Sequence, residues 1–499
     1  MRFPFAPLLF AMFLTAVVRA EPAGGSKPSS APPRPIDVDE ETARVLREIN
    51  SLNAYQAPHL DLKTDAKYAH IPLKYEPFRG SEPDKRYFLE QIEYPGAGRA
   101  IPEPDDVKEV KIGFIGPLYP IASVATGGTT HDEILGKKMY QGCKLAIEEA
   151  NARGGYLKRK LPFKLVDKND TGLWGSSGNE IIKLAYDDKV WAILGTIDGA
   201  NSHIAIRVAL KAEVPMMNSG DTDPTFIETN IPWVFRCIGD DRQMNYLLAD
   251  YLYDKLKVQR VGIIRPSSRY GRFGVRKLRD AGRRRQHPIV VEPTYSVGDE
   301  DFSRQLRLLQ QYHVDAVVHW GNAADGAHVL NQMRSRGMKQ PFLACDRCAT
   351  SEFVKIAGAN AEGVVCGYPW DPTRRDPKLD RMREAFRKQF PEDPEMETYA
   401  AHGYDGMNLL IWAIQAAGLN RAKIRDVLAY RTKPWPGVTG DIQFSAVLDD
   451  IGEVYLAKYE HGAWKYLSRE QLGLTRPPAV ARTSPPERQP APPPASAAR

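Results

Sequence analysis

The stretch PFLACDRCATSEF, residues 341–353, holds two cysteines and an aspartate at a spacing that could do chemistry. Cys345 and Cys348 have the spacing of a redox motif or of half a zinc site, and Asp346 lies between them. A redox pair needs its first cysteine at a helix N-terminus, whereas Cys345 ends a predicted strand. A zinc site needs four ligands, and the chain has no second pair at a suitable spacing. We therefore predict a binding loop in which Asp346 is the functional residue, with no metal and no cofactor.

The pairing of the cysteines stays open at this stage. The chain has five of them, namely Cys143, Cys237, Cys345, Cys348 and Cys366. Because five is odd, at least one thiol is free or pairs with another chain. A disulfide within the motif, or from the motif to Cys366, would stiffen the loop in an exported protein. The sequence has no nucleophile-elbow, Walker or His/Glu metal motif, so we predict that the protein is not an enzyme.

Other candidate ligand residues come directly after predicted strands. The strand predicted over 190–198 leads through Gly199 and Ala200 into a helix, whose first backbone N–H groups are free to hold an anion or a polar ligand. The alternative is a tight turn with Asn201 or Ser202 as the helix cap. The residues that follow other strands in the same way are Gly220, Asp221, Thr222, Tyr270, Asn322 and Asp346.

The elements that must position these residues alternate between strand and helix. Continuously apolar strands are predicted at 110–118, 162–170, 190–198, 214–220, 260–266, 288–296, 314–321 and 341–346. Such strands, separated by helices, are typical of parallel sheets covered by helices on both faces. The alternation starts twice, which predicts two lobes with a cleft between them. Ligands of such sheets bind outside the carboxyl ends of the strands, where the candidate residues lie.

Length, charge and the first residues restrict the class of protein. The chain has 499 residues, which is too long for one ordinary core. Its net charge of +6 is small, and its basic residues are interspersed with acidic ones, so we do not predict nucleic-acid binding. Residues 1–20 have an early arginine, an apolar run and Val18-Arg19-Ala20 before a predicted cleavage point, as in a secretory signal peptide. The alternative is a membrane anchor, which this short run disfavours. We therefore predict a periplasmic protein.

A set of motifs runs through the chain from about residue 108 to 466. They are IGFIGPL, GKKMYQGCKLAIEEANARGG, AILGTIDGANS, SSRYGRFG, DEDFSRQLRLLQQYHVDAVVHWG, SRGMKQPFLACD, AEGVVCGYP and YAAHGYDGMNLL. With these motifs the chain resembles the periplasmic leucine/isoleucine/valine-binding proteins, the amino-acid receptors of ABC transporters. The resemblance implies an α/β, two-lobed type I periplasmic-binding fold, in which each lobe is a parallel sheet flanked by helices and a hinge joins the lobes.

The resemblance and the composition together divide the chain into segments. These are a signal peptide at 1–20, a leader and irregular N-terminal extension at 21–107, a first lobe at 108–238 and 367–448, a second lobe at 239–366 and 449–475, and a disordered Pro/Ala-rich tail at 476–499. The extension and the tail have no counterpart in the usual family pattern.

The resemblance also implies roles for the candidate residues. The family grips the α-carboxylate of an amino acid with the loops after the third and fourth strands, here residues 199–200 and 220–222. Asp346 stands where the family meets the α-ammonium group. Tyr270 would cover the ligand from the second lobe, and Asn322 is a further residue from that lobe.

This sequence departs from the family pattern at several of these positions. Gly199 stands where a serine is usual, Asp221 replaces a small neutral residue with Asp198 close by, and Asn322 stands where an aromatic residue is common. Acids beside a carboxylate site repel an anion by roughly 1–4 kcal/mol at about 4 Å. We therefore predict a receptor that delivers a small polar, amine-bearing ligand to an ABC permease in the inner membrane. The alternative is a ligand-sensing receptor for a membrane signalling partner.

Overall fold

The computed structural model describes residues 92–119, 132–170, 174–393, 398–431 and 433–474. The predicted signal peptide, the extension up to residue 91 and the Pro/Ala-rich tail lie outside the described residues. Among the described helices, none is both long enough and apolar enough to cross a membrane.

The described strands form two large sheets and one small ribbon. In chain order they are β1 Val110–Gly116, β2 Phe163–Asn169, β3 Ile193–Gly195, β4 Met216–Asn218, β5 Val234–Arg236, β6 Val261–Pro266, β7 Thr294–Tyr295, β8 Ala316–His319, β9 Phe342–Ala344, β10 Val365–Tyr368, β11 Trp435–Pro436, β12 Asp441–Ile442, β13 Tyr455–Glu460 and β14 Ala463–Leu467. The first sheet has the order β2-β1-β3-β4-β5, and the second has the order β14-β13-β10-β9-β8-β6-β7. Strands β11 and β12 pair only with each other.

The α-helices lie between these strands along the chain. They are α1 Asp132–Ala152, α2 Trp174–Ile182, α3 Gly199–Ala212, α4 Asp241–Ala249, α5 Arg269–Gly274, α6 Arg276–Arg284, α7 Ser303–Gln311, α8 Ala323–Ser335, α9 Ser351–Ala357, α10 Pro377–Gln389, α11 Thr398–Ala417 and α12 Arg421–Ala429. Helices α2 and α4 each continue as a short π-helical segment, Lys183–Asp187 and Asp250–Lys255.

The prediction of parallel sheets is confirmed for the first sheet and for the centre of the second. Every strand pair in the first sheet is parallel. In the second sheet the pairs β6–β7, β6–β8, β8–β9 and β9–β10 are parallel as well. Inner strands such as β4, β6 and β8 are buried along their whole length, as their apolar sequences predict, whereas the edge strand β2 is partly exposed. At one edge of the second sheet, β13 and β14 add an antiparallel hairpin that the sequence reading did not contain.

Several element boundaries differ from the prediction. The strand expected at 190–198 is only β3, and helix α3 starts three residues before the predicted start at residue 202. The reason is Asp198, which caps α3 by accepting a hydrogen bond from the Ala200 amide at 2.7 Å. The strand expected at 288–296 reduces to β7.

Helices α1 and α11 pack so closely that glycine is required at their crossing. A methyl group on Gly142 would lie 2.0 Å from the carbonyl oxygen of Ala400, and one on Gly403 would lie 2.5 Å from the carbonyl oxygen of Met139. Both distances are far below any real carbon–oxygen contact. Helix α11 therefore packs against α1 with backbone in close contact at the crossing.

A fully buried arginine joins the first sheet to the start of α4 and to the returning C-terminal segment. Arg236, at the end of β5, donates to Asp449 through Nε at 2.8 Å and to Asp240 through Nη2 at 3.1 Å. Its Nη1 donates to the carbonyl of Asp223 at 2.7 Å. This arginine thus fixes the region where the chain crosses from one sheet to the other.

The described part of the N-terminal extension lies on the side of the first sheet. The Ile92 amide donates to the Ala446 carbonyl at 3.0 Å, and Arg99 forms an ion pair with Asp426 of α12 at 2.6 Å. The Tyr94 ring packs edge-on against Trp233, with 4.7 Å between the ring centroids.

Candidate functional site

The loop after β4 is organised by the side chain of Asn218. Its Oδ1 accepts hydrogen bonds from the amides of Gly220 at 2.9 Å and Asp221 at 2.7 Å. Asp221 is buried, and its Oδ1 accepts from the Asp223 amide at 2.9 Å. Its Oδ2 accepts no hydrogen bond of good geometry from a described residue, although the Ser202 side chain lies close enough to lower the pKa. Burial, helped by the charge of Asp223, raises the pKa of Asp221 to about 7.

The glycine at position 199 is explained by an ion pair beside it. A methyl group on Gly199 would lie 3.1 Å from both Arg269 Nε and Asp223 Oδ2. Arg269 Nη2 donates to Asp223 Oδ2 at 2.8 Å and to the Thr225 hydroxyl at 2.9 Å. The serine that the resemblance implies at this position would need the ion pair to shift by a few tenths of an ångström.

The same ion pair connects the two sides of the molecule. Arg269 begins α5, which follows β6 of the second sheet, whereas Asp223 follows β4 of the first sheet. Burial lowers the pKa of the neighbouring His203, and the charge of the Arg269 guanidinium lowers it further. The residues that follow the strands of both sheets are thus in contact in this structure.

On the second sheet, the predicted residues Tyr270 and Asp346 are brought together. The Tyr270 hydroxyl donates to Asp346 Oδ1 at 2.8 Å, and the Tyr399 hydroxyl donates to Asp346 Oδ2 at 3.5 Å. Asp346 is only 4% exposed. Burial raises the pKa of Asp346, and the charge of Arg347 opposes this rise.

The predicted residue Asn322 acts on this group through Arg347. Arg347 Nη1 donates to Asn322 Oδ1 at 3.0 Å. The guanidinium carbon of Arg347 lies 3.9 Å from the centroid of the Tyr270 ring, which is a cation–π contact. Asn322 therefore positions Arg347, and Arg347 covers the face of Tyr270 next to Asp346.

Asp241 is a site residue that the sequence reading missed. It opens α4 and is 1% exposed, and neither of its carboxylate oxygens accepts a hydrogen bond of good geometry from a described residue. Its amide donates to the carbonyl of Thr222 at 2.9 Å. Burial, followed by the charge of Asp346, raises the pKa of Asp241 well above its ordinary value. Asp241 thus links Thr222 on one side of the candidate site to Asp346 on the other.

A signal for Asp241 was present in the sequence. The pair Asp240-Asp241 comes shortly after β5, and the rule that ligand residues follow strands applies there as well. The three-residue strand Val234–Arg236 is too short to stand out in the sequence, so the rule has no predicted strand to apply to there. Arg269 and Arg347 flank the predicted residues directly, but their roles depend on contacts that no local pattern shows.

The cysteine motif has no metal-binding surroundings in the described residues. All five cysteines are free and buried. The Cys345 thiol donates to the Gly321 carbonyl at 3.0 Å, and the Cys348 sulfur lies 3.6 Å from Nδ1 of His319. In the described part of the chain, no group of three or more His, Cys, Asp or Glu side chains could hold a metal ion.

The chain matches a family model along most of its length. The model, described as periplasmic binding protein, covers residues 109–451. The chain belongs to the periplasmic binding protein family. This result agrees with the predicted resemblance, and the motifs that carried it lie almost wholly within the matched residues.

Curated relatives of this family member are amino-acid-binding proteins by name. It is 27% identical over 372 residues to Leu/Ile/Val-binding protein homolog 2 of Brucella abortus, which covers 70% of this chain and 97% of that protein. It is 26% identical over 300 residues to the leucine-specific-binding protein of Salmonella typhimurium, with 59% of this chain and 76% of that protein covered. These relatives are solute-binding proteins rather than enzymes, which confirms the predicted non-enzymatic role.

Solved structures of the family share the fold of this member. The branched-chain amino acid transporter substrate-binding protein of Streptococcus pneumoniae, solved with isoleucine, is 25% identical, with a TM-score of 0.62 over 72% of this chain and 99% of that chain. A solute-binding protein of R. palustris, solved with benzoate, is 16% identical and shows the fold alone, with a TM-score of 0.62 over 72% of this chain and 96% of that chain. The predicted two-lobed type I periplasmic-binding fold is confirmed.

Proposed function

We propose that this protein is an exported receptor of an ABC transporter, which binds a small polar, amine-bearing ligand between its lobes and delivers it to a permease in the inner membrane. The periplasmic location, the interlobe cleft and the permease are parts of this proposal. Relatives that are transport receptors support it, and they give the signalling alternative no support.

The observation that carries the proposal is the surroundings of Asp346. This buried carboxylate accepts hydrogen bonds from two tyrosine hydroxyls, those of Tyr270 and Tyr399. Such a carboxylate, held in place at the end of a parallel strand, is preorganised to meet an ammonium group. The contact between Arg269 and Asp223 supports closure of the lobes over the ligand, because it joins the two sides only when they approach.

The predicted ligand residues have different parts in this proposal. Asp346 pairs with the amine, Tyr270 covers it, and Asn322 acts through Arg347. The other end of the ligand meets the first lobe at Gly199, Ala200, Gly220, Asp221 and Thr222. Their direct contact with a ligand remains a prediction.

The test starts with the ligand that co-purifies with the protein from its native host, identified by mass spectrometry. Titration calorimetry then measures its affinity for the wild type and for Asp346→Asn and Asp346→Ala. Removing one partner of a buried charge pair typically costs about 3–5 kcal/mol, and Asn retains the shape and some hydrogen bonding. We expect at least roughly tenfold weaker binding, or about 1.4 kcal/mol, with the larger loss for Ala.

The matched control is Asp380→Asn, which makes the same charge change on the exposed surface of α10 and should bind as the wild type does. Circular dichroism checks that all variants fold. Unchanged affinity of Asp346→Ala would rule out the proposed pairing with an amine.

A further inference from the structure

Asp241 is a buried acid that has no role in the ligand contacts proposed above. The Thr222 side chain lies close enough to lower the pKa of Asp241, but neither carboxylate oxygen accepts a hydrogen bond of good geometry from a described residue. The charged or ionisable groups that act on it from the neighbouring elements are Asp346, Asp223, Asp240 and Tyr270. Each of these groups is neutral when protonated and negatively charged when deprotonated. None of them can therefore balance a negative charge on Asp241.

Three arginines of this region bind acids other than Asp241, and Arg347 lies against Tyr270 and Asn322. Arg236 and Arg242 bind Asp240, and Arg269 binds Asp223. A buried carboxylate without a partner is strongly unfavourable, and buried charges in proteins are as a rule paired. The position of Asp241 between Thr222 and Asp346 therefore favours a positively charged partner that is not part of the described chain.

The opposite end of the site offers little to an anion. The Ala200 amide is bonded to Asp198, and the amides of Gly220 and Asp221 are bonded to Asn218. The buried Asp221 carboxylate, whose Oδ2 accepts no hydrogen bond of good geometry from a described residue, adds an acid at the same place. Arg269 Nε is a buried donor without an acceptor there, but the positive charge of this arginine is balanced by Asp223.

We propose that Asp241 is a second ligand-binding carboxylate, and that the ligand is a small organic cation with net positive charge rather than a neutral zwitterion such as leucine. This inference rests on the proposed function of a solute receptor and makes its substrate class more specific.

Proton release on binding follows from the same arrangement. In the structure described here, with no cation beside it, burial raises the pKa of Asp241 and so favours its protonated carboxyl group. A bound cation favours the ionised form, so the proton leaves as the ligand enters. The binding enthalpy should then depend on the ionisation enthalpy of the buffer.

The experiment titrates four probes into the full chain by calorimetry. L-leucine and isopentylamine have the same branched side chain with and without the carboxylate, and L-lysine and cadaverine form a similar pair with a second amine. We expect the three net-positive probes to bind at least roughly tenfold more tightly than L-leucine. Asp241→Asn should weaken those three at least roughly tenfold and abolish part of the proton release. The control Asp380→Asn should do neither.

Several results would overturn the inference. L-leucine could bind more tightly than every cationic probe, the cationic probes could fail to bind at millimolar concentration, or Asp241→Asn could bind them as the wild type does. If Asp241→Asn does not fold, the ranking of probes by the wild type still decides. Tight L-leucine binding that Asp346→Asn weakens would leave the proposed function standing while this inference fails.

Discussion

At the scale of single residues, the candidate site is characterised by acids that lack a partner inside the protein. Asp221 and Asp241 are buried, and each has a carboxylate oxygen that accepts no hydrogen bond of good geometry from a described residue. The hydrogen bonds described above for Asp346 come from tyrosine hydroxyls. Binding a branched-chain zwitterion requires one acid for its ammonium group and a set of hydrogen-bond donors for its carboxylate. The candidate site thus has more acids than such a ligand requires.

Asp221 allows a prediction about stability and pH. Burial raises its pKa to about 7 in the folded protein, from the ordinary value of 3.8. Between these two values the folded state retains the proton and the unfolded state has lost it. Asp221 therefore contributes stability at acid pH, and the contribution disappears as the pH rises through about 7. Asn does not titrate, so Asp221→Asn should gain about 2–3 kcal/mol relative to the wild type between about pH 5 and about pH 8.

Urea unfolding of both proteins at the two pH values measures this difference. Asp380→Asn, whose side chain is exposed, serves as the control and should show no such trend. A difference between Asp221→Asn and the wild type that stays constant with pH would mean that the Asp221 carboxyl is ionised in the folded protein.

At the scale of elements, the close crossing of α1 and α11 is the most sensitive contact described. Gly142→Ala places a methyl group 2.0 Å from a backbone oxygen, which only a separation of the helices relieves. Alanine favours a helix by about 1 kcal/mol over glycine, but overpacking of this kind typically costs about 1–3 kcal/mol. Because two backbones must move apart, we expect a net loss of stability, measured as a lower midpoint of denaturant unfolding.

Lys144→Ala on the exposed face of α1 is the control, and it should change the unfolding free energy by less than about 0.5 kcal/mol. A Gly142→Ala protein that is as stable as the wild type would show that the two helices separate without loss.

The elements also show what the sequence could and could not predict. Long apolar strands such as β1 and β6 were predicted nearly residue for residue, because burial on both faces leaves a continuous apolar run. The rule about strand ends placed Tyr270 and Asp346 correctly beside each other. The three-residue strand β5 was missed, and with it Asp241. The capping of α3 by Asp198 and the pairing of Arg269 with Asp223 depend on tertiary contacts, which no local pattern contains.

At the scale of the whole molecule, the Arg269–Asp223 pair joins the two lobes and should favour the closed form. Arg269→Gln removes the charge, so the variant should be more open without ligand and have a larger radius of gyration by small-angle X-ray scattering. Since the pair is partly exposed, we expect a loss of about 1 kcal/mol, or roughly fivefold in the affinity for the co-purifying ligand.

Arg272→Gln makes the same charge change on the same helix at an exposed position, and it should leave both quantities unchanged. Equal radii of gyration and equal affinities for Arg269→Gln and the wild type would show that the ion pair does not contribute to closure.

The unsatisfied carboxyl of Asp241 has a consequence for the empty receptor. If the proposed receptor closes without a ligand, Asp241 is buried either as an uncompensated charge or with a bound proton. A proton and a cationic ligand would therefore compete for this one position. We expect acid pH to favour closure of the empty receptor and release of the ligand from the loaded one.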